Sequence, residues 1–102
     1  MPNANYVRGT RFERQVMQEW TDKGYTVLRT AGSRGFADLV AIRGGEPVRF
    51  IQCKCFKTGS KLMAQNLVKQ FLKHPRVTPS EHYVQSMEVY AMKDQARVEG
   101  TI

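Results

Sequence analysis

The chain has 102 residues, 41% hydrophobic and 25% charged, with a formal net charge of +7, so a single domain over residues 1–102 with one modest core is expected. No run approaches the roughly 20 apolar residues of a membrane span, and the opening MPNANYVRGT lacks the apolar stretch of a signal peptide. A cytoplasmic protein with no membrane partner is therefore expected, and the positive excess favours a polyanion, because phosphate contacts release counterions, although basicity serves solubility equally well.

Gly9 and Thr10 lead into Arg11 to Lys23, where Phe12, Val16, Met17 and Trp20 recur at helical spacing. Gly24 stops this first helix, and Thr10 with Glu13 fits a capping box at its start. Tyr25 to Thr30 is rich in β-branched and aromatic residues and reads as a strand. A loop, AGSRGF, follows, and then Ala37 to Ile42, an apolar run interrupted by Asp38. The segment RGGEP turns the chain into Val48 to Phe56, so that these two strands form a hairpin. Cys53 and Cys55 point the same way there, which would strain a bridge between them, and they read as small core residues. Lys61 to Lys73 places Leu62, Met63, Leu67, Val68, Phe71 and Leu72 on one broad helical face, closed by His74 and Pro75. His82 to Met92 and Gln95 to Ile102 read as two final strands about a turn at Lys93 and Asp94. The order of helix, three strands, helix and two strands predicts a mixed sheet with at least one helix packed on it, of α/β or α+β class.

Three polar residues stand out against this apolar frame. With a five-residue connection, Val40 pairs with Phe50, Asp38 falls opposite Gln52, and alternation puts Lys54 on the same face. Glu13 heads the apolar stripe of the first helix, which would carry it over the sheet towards Asp38. Two acids and an amide oxygen form the hard-oxygen set that Mg²⁺ or Mn²⁺ takes, and a neighbouring lysine suits phosphodiester hydrolysis. Ser33, in the loop before Asp38, is placed to donate to a phosphate or to a water.

Glu on a first helix, Asp in a strand and a hairpin to a residue-x-Lys strand resemble the core of the PD-(D/E)XK nucleases. The segments RGTRFER at Arg8 to Arg14 and VLRTAGSRG at Val27 to Gly35, with the ADLVA run that follows, are similar to those of the archaeal-type Holliday junction resolvases. The resemblance implies an α/β, restriction-endonuclease-like fold with a mixed central sheet flanked by helices. It implies a homodimer that cuts four-way DNA junctions with Mg²⁺, or Mn²⁺ as substitute, and no small-molecule cofactor. It further implies that Glu13, Asp38, Gln52 and the backbone carbonyl of Cys53 bind metal, that Lys54 is the catalytic lysine and that Ser33 matches the family's loop serine. Arg8, Arg11, Arg29, Arg34, Lys57 and Lys61 would contact DNA. The departure is Gln52, where resolvases usually carry glutamate: the oxygen is kept and the charge is lost, which should weaken cation binding.

Each residue taken alone has a plainer use. Glu13 fits the cap, Asp38 a strand end facing solvent, and Gln52 with Lys54 an edge that discourages aggregation. Arg11 and Arg14 would pair with Glu13 or Glu19 or coat the helix. His74 and His82 lack zinc spacing, and for Tyr6, Tyr83 and Tyr90 burial is the expectation. The joint order of Glu13, Asp38, Gln52 and Lys54 favours a site. The alternatives are a nuclease of the same fold acting on flaps or duplex, and a DNA-binding module that has lost catalysis through Gln52.

Overall fold

The computed structural model describes residues 4–30 and 37–102, the first four of them by backbone alone. The elements are α1 (Ala4–Asp22), β1 (Thr26–Arg29), β2 (Leu39–Ile42), β3 (Val48–Phe56), α2 (Lys61–Lys73), β4 (Tyr83–Ala91) and β5 (Ala96–Thr101). The strands form one sheet in the order β1-β2-β3-β4-β5. The pairs are antiparallel except β3 with β4, which run parallel because α2 returns the chain across the sheet.

Helix α1 starts at Ala4, seven residues before the expected Arg11, so Thr10 lies inside the helix and is no cap. The expected capping box therefore fails: the amides around Glu13 already have intrahelical carbonyl partners. The end of α1 is as expected. Gly24 takes a φ of +95°, and the amides of Lys23, Gly24 and Tyr25 fold back onto the carbonyls of Trp20 and Thr21 at 3.0–3.2 Å. A side chain would be strained at that left-handed position. Helix α2 is capped twice, by the Ser60 hydroxyl accepting from the Met63 amide and by Asp94, whose Oδ2 accepts from the Lys61 amide at 2.7 Å.

The two faces of the sheet hold separate cores. Beneath α1, Phe12 and Val16 pack on Val27, Leu39, Ala41, Ile51 and Cys53, with Met17, Trp20, Tyr25, Cys55 and Tyr90 around them. Beneath α2, Ala64 and Val68 pack on Met87, Val89 and Ala91, with Phe56, Phe71 and Val98 alongside. Leu39, Ile51, Val16 and Val89 are the largest side chains wholly removed from solvent, each worth about 1.5–3 kcal/mol over exposure. Gly100 permits the close seat of α2 on β5, since a Cβ there would stand 2.5 Å from Val68 Cγ1. Both cysteines are free thiols facing the α1 core, as expected, and burial pushes the Cys53 thiol far up. Tyr90 is half-buried, whereas Tyr83 remains exposed at the sheet's end, against expectation. No described helix is long and apolar enough to cross a membrane.

Candidate active site

The hairpin has the expected register. Val40 pairs with Phe50 and Leu39 with Ile51, so continuing the ladder by one residue sets Asp38 opposite Gln52. Asp38 lies just ahead of β2 and is tied to β3 twice: its amide donates to the Ile51 carbonyl, and its Oδ2 accepts from the Cys53 amide, both at 2.8 Å. The Thr30 amide donates to the Asp38 carbonyl, which joins β1 to the same bend. Asp38 is thus a fixed, half-buried carboxylate and not a strand-end acid loose in solvent.

Glu13 reaches this bend from α1. Its carboxyl is held above the usual carboxylate range, first by burial and next by the negative charge of Asp38, while Arg29 acts in the opposite direction. The Arg29 Nε stands 3.8 Å from Glu13 Oε1, a loose contact with both side chains partly exposed. Neither Arg11 nor Arg14 pairs with an acid among the described residues; Glu13 faces Arg29 and Glu19 binds Arg97.

Gln52 and Lys54 occupy the other side of β3. They pair with Met87 and Val89, which face α2, whereas Ile51 and Cys53 face α1. Glu13 therefore comes to Asp38 over one face of the sheet, and Gln52 and Lys54 flank it on the opposite one. Gln52 is half-buried and Lys54 exposed, and neither is hydrogen-bonded or ion-paired to Glu13 or Asp38 among the described residues. Ser33 and Arg34 lie outside the described residues.

Arg11, Arg29, Lys57 and Lys61 are exposed, and Arg8 is half-buried. Arg8 and Arg11 line a cleft of about 520 Å³ with Phe12, Gln15, Cys55, Tyr90 and Met92, on the flank of α1 away from Glu13 and Asp38.

Burial and, next, the charge of Asp38 raise Glu13, and a cation would relieve both, so the chemistry of the two carboxylates fits a hard metal ion, with the Gln52 amide oxygen, opposite Asp38 in the ladder, as a neutral donor from the other face. No cluster of three or more His, Cys, Asp or Glu side chains able to hold a metal forms among the described residues. The donor set has one charge fewer than a Glu at position 52 would give.

A second acidic cluster under α1 escaped the sequence reading. Arg97 of β5 binds Glu19 through Nη1 and Nη2, each 2.6 Å from a carboxylate oxygen, and also donates to the buried Glu88 of β4. Trp20 donates its indole N–H to the other Glu88 oxygen at 3.1 Å. Hydrogen bonding to Arg97 holds Glu19 below the usual carboxylate range. These partners are up to 78 residues apart, and no local spacing signals them.

The sequence profile of the archaeal Holliday junction resolvase (Hjc) family matches residues 4–93, which takes in both helices and the first four strands. The chain belongs to that family. It is 43% identical over 49 residues to the crossover junction endodeoxyribonuclease Hjc of Methanocaldococcus jannaschii, a stretch covering 48% of this chain and 35% of that relative's length. The solved structure of Archaeoglobus fulgidus Hjc, a Holliday junction resolvase, superposes with a TM-score of 0.53 at 23% identity, covering 89% of this chain and 70% of that one. The fold is thus the restriction-endonuclease-like α/β fold expected from the resemblance.

Proposed function

We propose that this chain is a structure-selective endonuclease that resolves four-way DNA junctions by metal-dependent phosphodiester hydrolysis, placing paired nicks as a homodimer. The observation that carries this reading is the juxtaposition of Glu13 and Asp38 beside the hairpin of a family member, where burial and the neighbouring negative charge of Asp38 hold the Glu13 carboxyl above its usual range. A two-fold-symmetric substrate needing two cuts is matched by two identical subunits.

Glu13, Asp38 and Gln52 would hold the cation, Mg²⁺ by preference with Mn²⁺ as substitute, and the Cys53 carbonyl is a further donor. Bound there, it would polarise the scissile phosphate and lower the pKa of an attacking water. Asp38 is held in position by the Cys53 amide, so its orientation needs no adjustment on substrate binding. The exposed ammonium of Lys54 orients the water or offsets charge at the pentacovalent phosphorus. Ser33 donates to the phosphate or to the water, and Arg8, Arg11, Arg29, Arg34, Lys57 and Lys61 bind backbone phosphates. The loose hold of Arg29 on Glu13 leaves that guanidinium free to exchange the carboxylate for a phosphate.

The test is cleavage of an immobile four-way junction with Mg²⁺, Mn²⁺ or EDTA, with linear duplex as control. Paired nicks that need metal, spare the duplex and fall at least about 100-fold in Asp38→Asn are expected. Gln52→Glu should cut faster at low metal concentration. The observation favouring a second reading is Gln52 itself: junction binding without cutting under either cation, unrepaired by Gln52→Glu, would make the chain a DNA-binding module.

A further inference from the structure

At the end of α1 far from Glu13, three cations gather on two aromatic rings. Trp20 lies between Lys23, whose Nζ is 4.2 Å from the ring centroid, and Arg49, whose Cζ is 4.4 Å from it. Tyr25 meets Trp20 edge-on at 5.1 Å and carries the Arg43 guanidinium 5.7 Å above its own ring. Arg43 also donates to the Lys23 carbonyl at 3.1 Å, which fixes it across the helix end. Lys23 and Arg43 are exposed and Arg49 is half-buried.

A fold built for stability alone would interleave acids among these charges. Among the described residues no carboxylate forms an ion pair with Lys23, Arg43 or Arg49. The acids nearby are engaged elsewhere: Glu19 and Glu88 are bound by Arg97, with Lys23 adding only a longer-range attraction to Glu19, and Asp22 accepts from Gln18 at 2.8 Å. The rings draw on only one side of each cation and leave its outward N–H groups available. Lys23 and Arg49, both within 4.4 Å of one centroid, are no more than about 9 Å apart, so both can reach the same stretch of phosphate backbone.

We infer that Lys23, Arg43 and Arg49, held by Trp20 and Tyr25, form a second DNA contact that grips the phosphate backbone of a duplex arm. The inference rests on the DNA-acting reading above. Trp20 stands seven residues beyond Glu13, about 10 Å along α1, so the contact lies one half-turn or less of duplex from the cut. Its role is positioning: it fixes how an arm leaves the site, and it takes no part in the chemistry.

The experiment measures affinity for the four-way junction in EDTA, where no cutting intervenes, over a range of salt. Each lost phosphate contact lowers the log–log salt slope by about 0.9. Lys23→Gln/Arg43→Gln/Arg49→Gln should lower it by about 2 to 3, and the exposed pair Lys23→Gln/Arg43→Gln by about 2. Lys23→Arg/Arg43→Lys/Arg49→Lys, which keeps the charges, should restore it. Trp20 is the single tryptophan, so its emission should change as wild-type protein binds the junction. A slope within about 0.5 of wild type in both glutamine variants overturns the inference, as would an unaltered Trp20 emission at saturation. A junction bound but never cut defeats the nuclease reading and leaves this contact standing; no binding by the wild type overturns both.

Discussion

Two clusters under the same helix each combine acids with one arginine, and they behave oppositely. At the Glu19, Glu88 and Arg97 cluster a guanidinium at the centre binds both carboxylates, and an indole N–H takes a remaining oxygen. At the Glu13, Asp38 and Arg29 cluster the acids press on one another, and the arginine stands off at 3.8 Å. One α-helix thus carries a fastened anchor near its end and an unrelieved charge nearer its middle. Unrelieved charge in a half-buried setting costs stability and is kept where chemistry uses it.

The largest effect should come from breaking the anchor. Arg97→Met leaves Glu88 buried without its cation, and urea denaturation should show a loss of about 3 kcal/mol. Glu19→Gln, at the exposed rim of the same anchor, should cost about 1 kcal/mol at neutral pH, because solvent screens it. Glu19 has a lowered folded pKa, so its contribution is present above the unfolded value and is lost as pH falls through the folded one. The penalty should therefore disappear in acid.

Glu13 carries the opposite sign. Its folded pKa is raised, so the fold is favoured with the proton on, below the unfolded value, and that advantage is lost as pH rises through the folded one. Glu13→Gln should accordingly raise the melting temperature at neutral pH while impairing cleavage, and the gain should fade below about pH 4. An unchanged or lower melting temperature at neutral pH would mean that Glu13 is satisfied and that the contrast with the anchor is false. The smallest effect is expected at Thr10→Ala. A lost N-cap would cost about 1 kcal/mol, but inside α1 alanine is the better helix former, so stability should be unchanged or slightly higher.

How far each part was legible follows from the range of its determinants. The span of β3, the span of α2 and the Val40 to Phe50 register were readable because alternation, helical periodicity and the RGGEP turn are local signals. The approach of Glu13 to Asp38 was readable for the same reason, being a matter of one stripe and one hairpin. The start of α1 was not, because Gly9 and Thr10 mimic a boundary that the helix runs through. Nor was the split that sets Glu13 on one face and Gln52 with Lys54 on the other, since it depends on which face each helix covers. The Trp20 cluster was read only as part of a core stripe, because Arg43 and Arg49 reach it from a different strand pair.

The parallel pairing of β3 with β4 also bears on the order in which the molecule comes together. Helix α1 and strands β1, β2 and β3 occupy residues 4–56 and join through short connections, so Glu13 and Asp38 can meet before the rest of the chain is in place. Matching Val48 with Tyr83 must close a loop of more than 30 residues around α2 before any contact repays it. The charged pair at the bend therefore rests on contacts of short sequence range, and the Arg97 anchor, which needs β5 beside β4, on contacts of the longest, a clasp drawn across the chain from its far end.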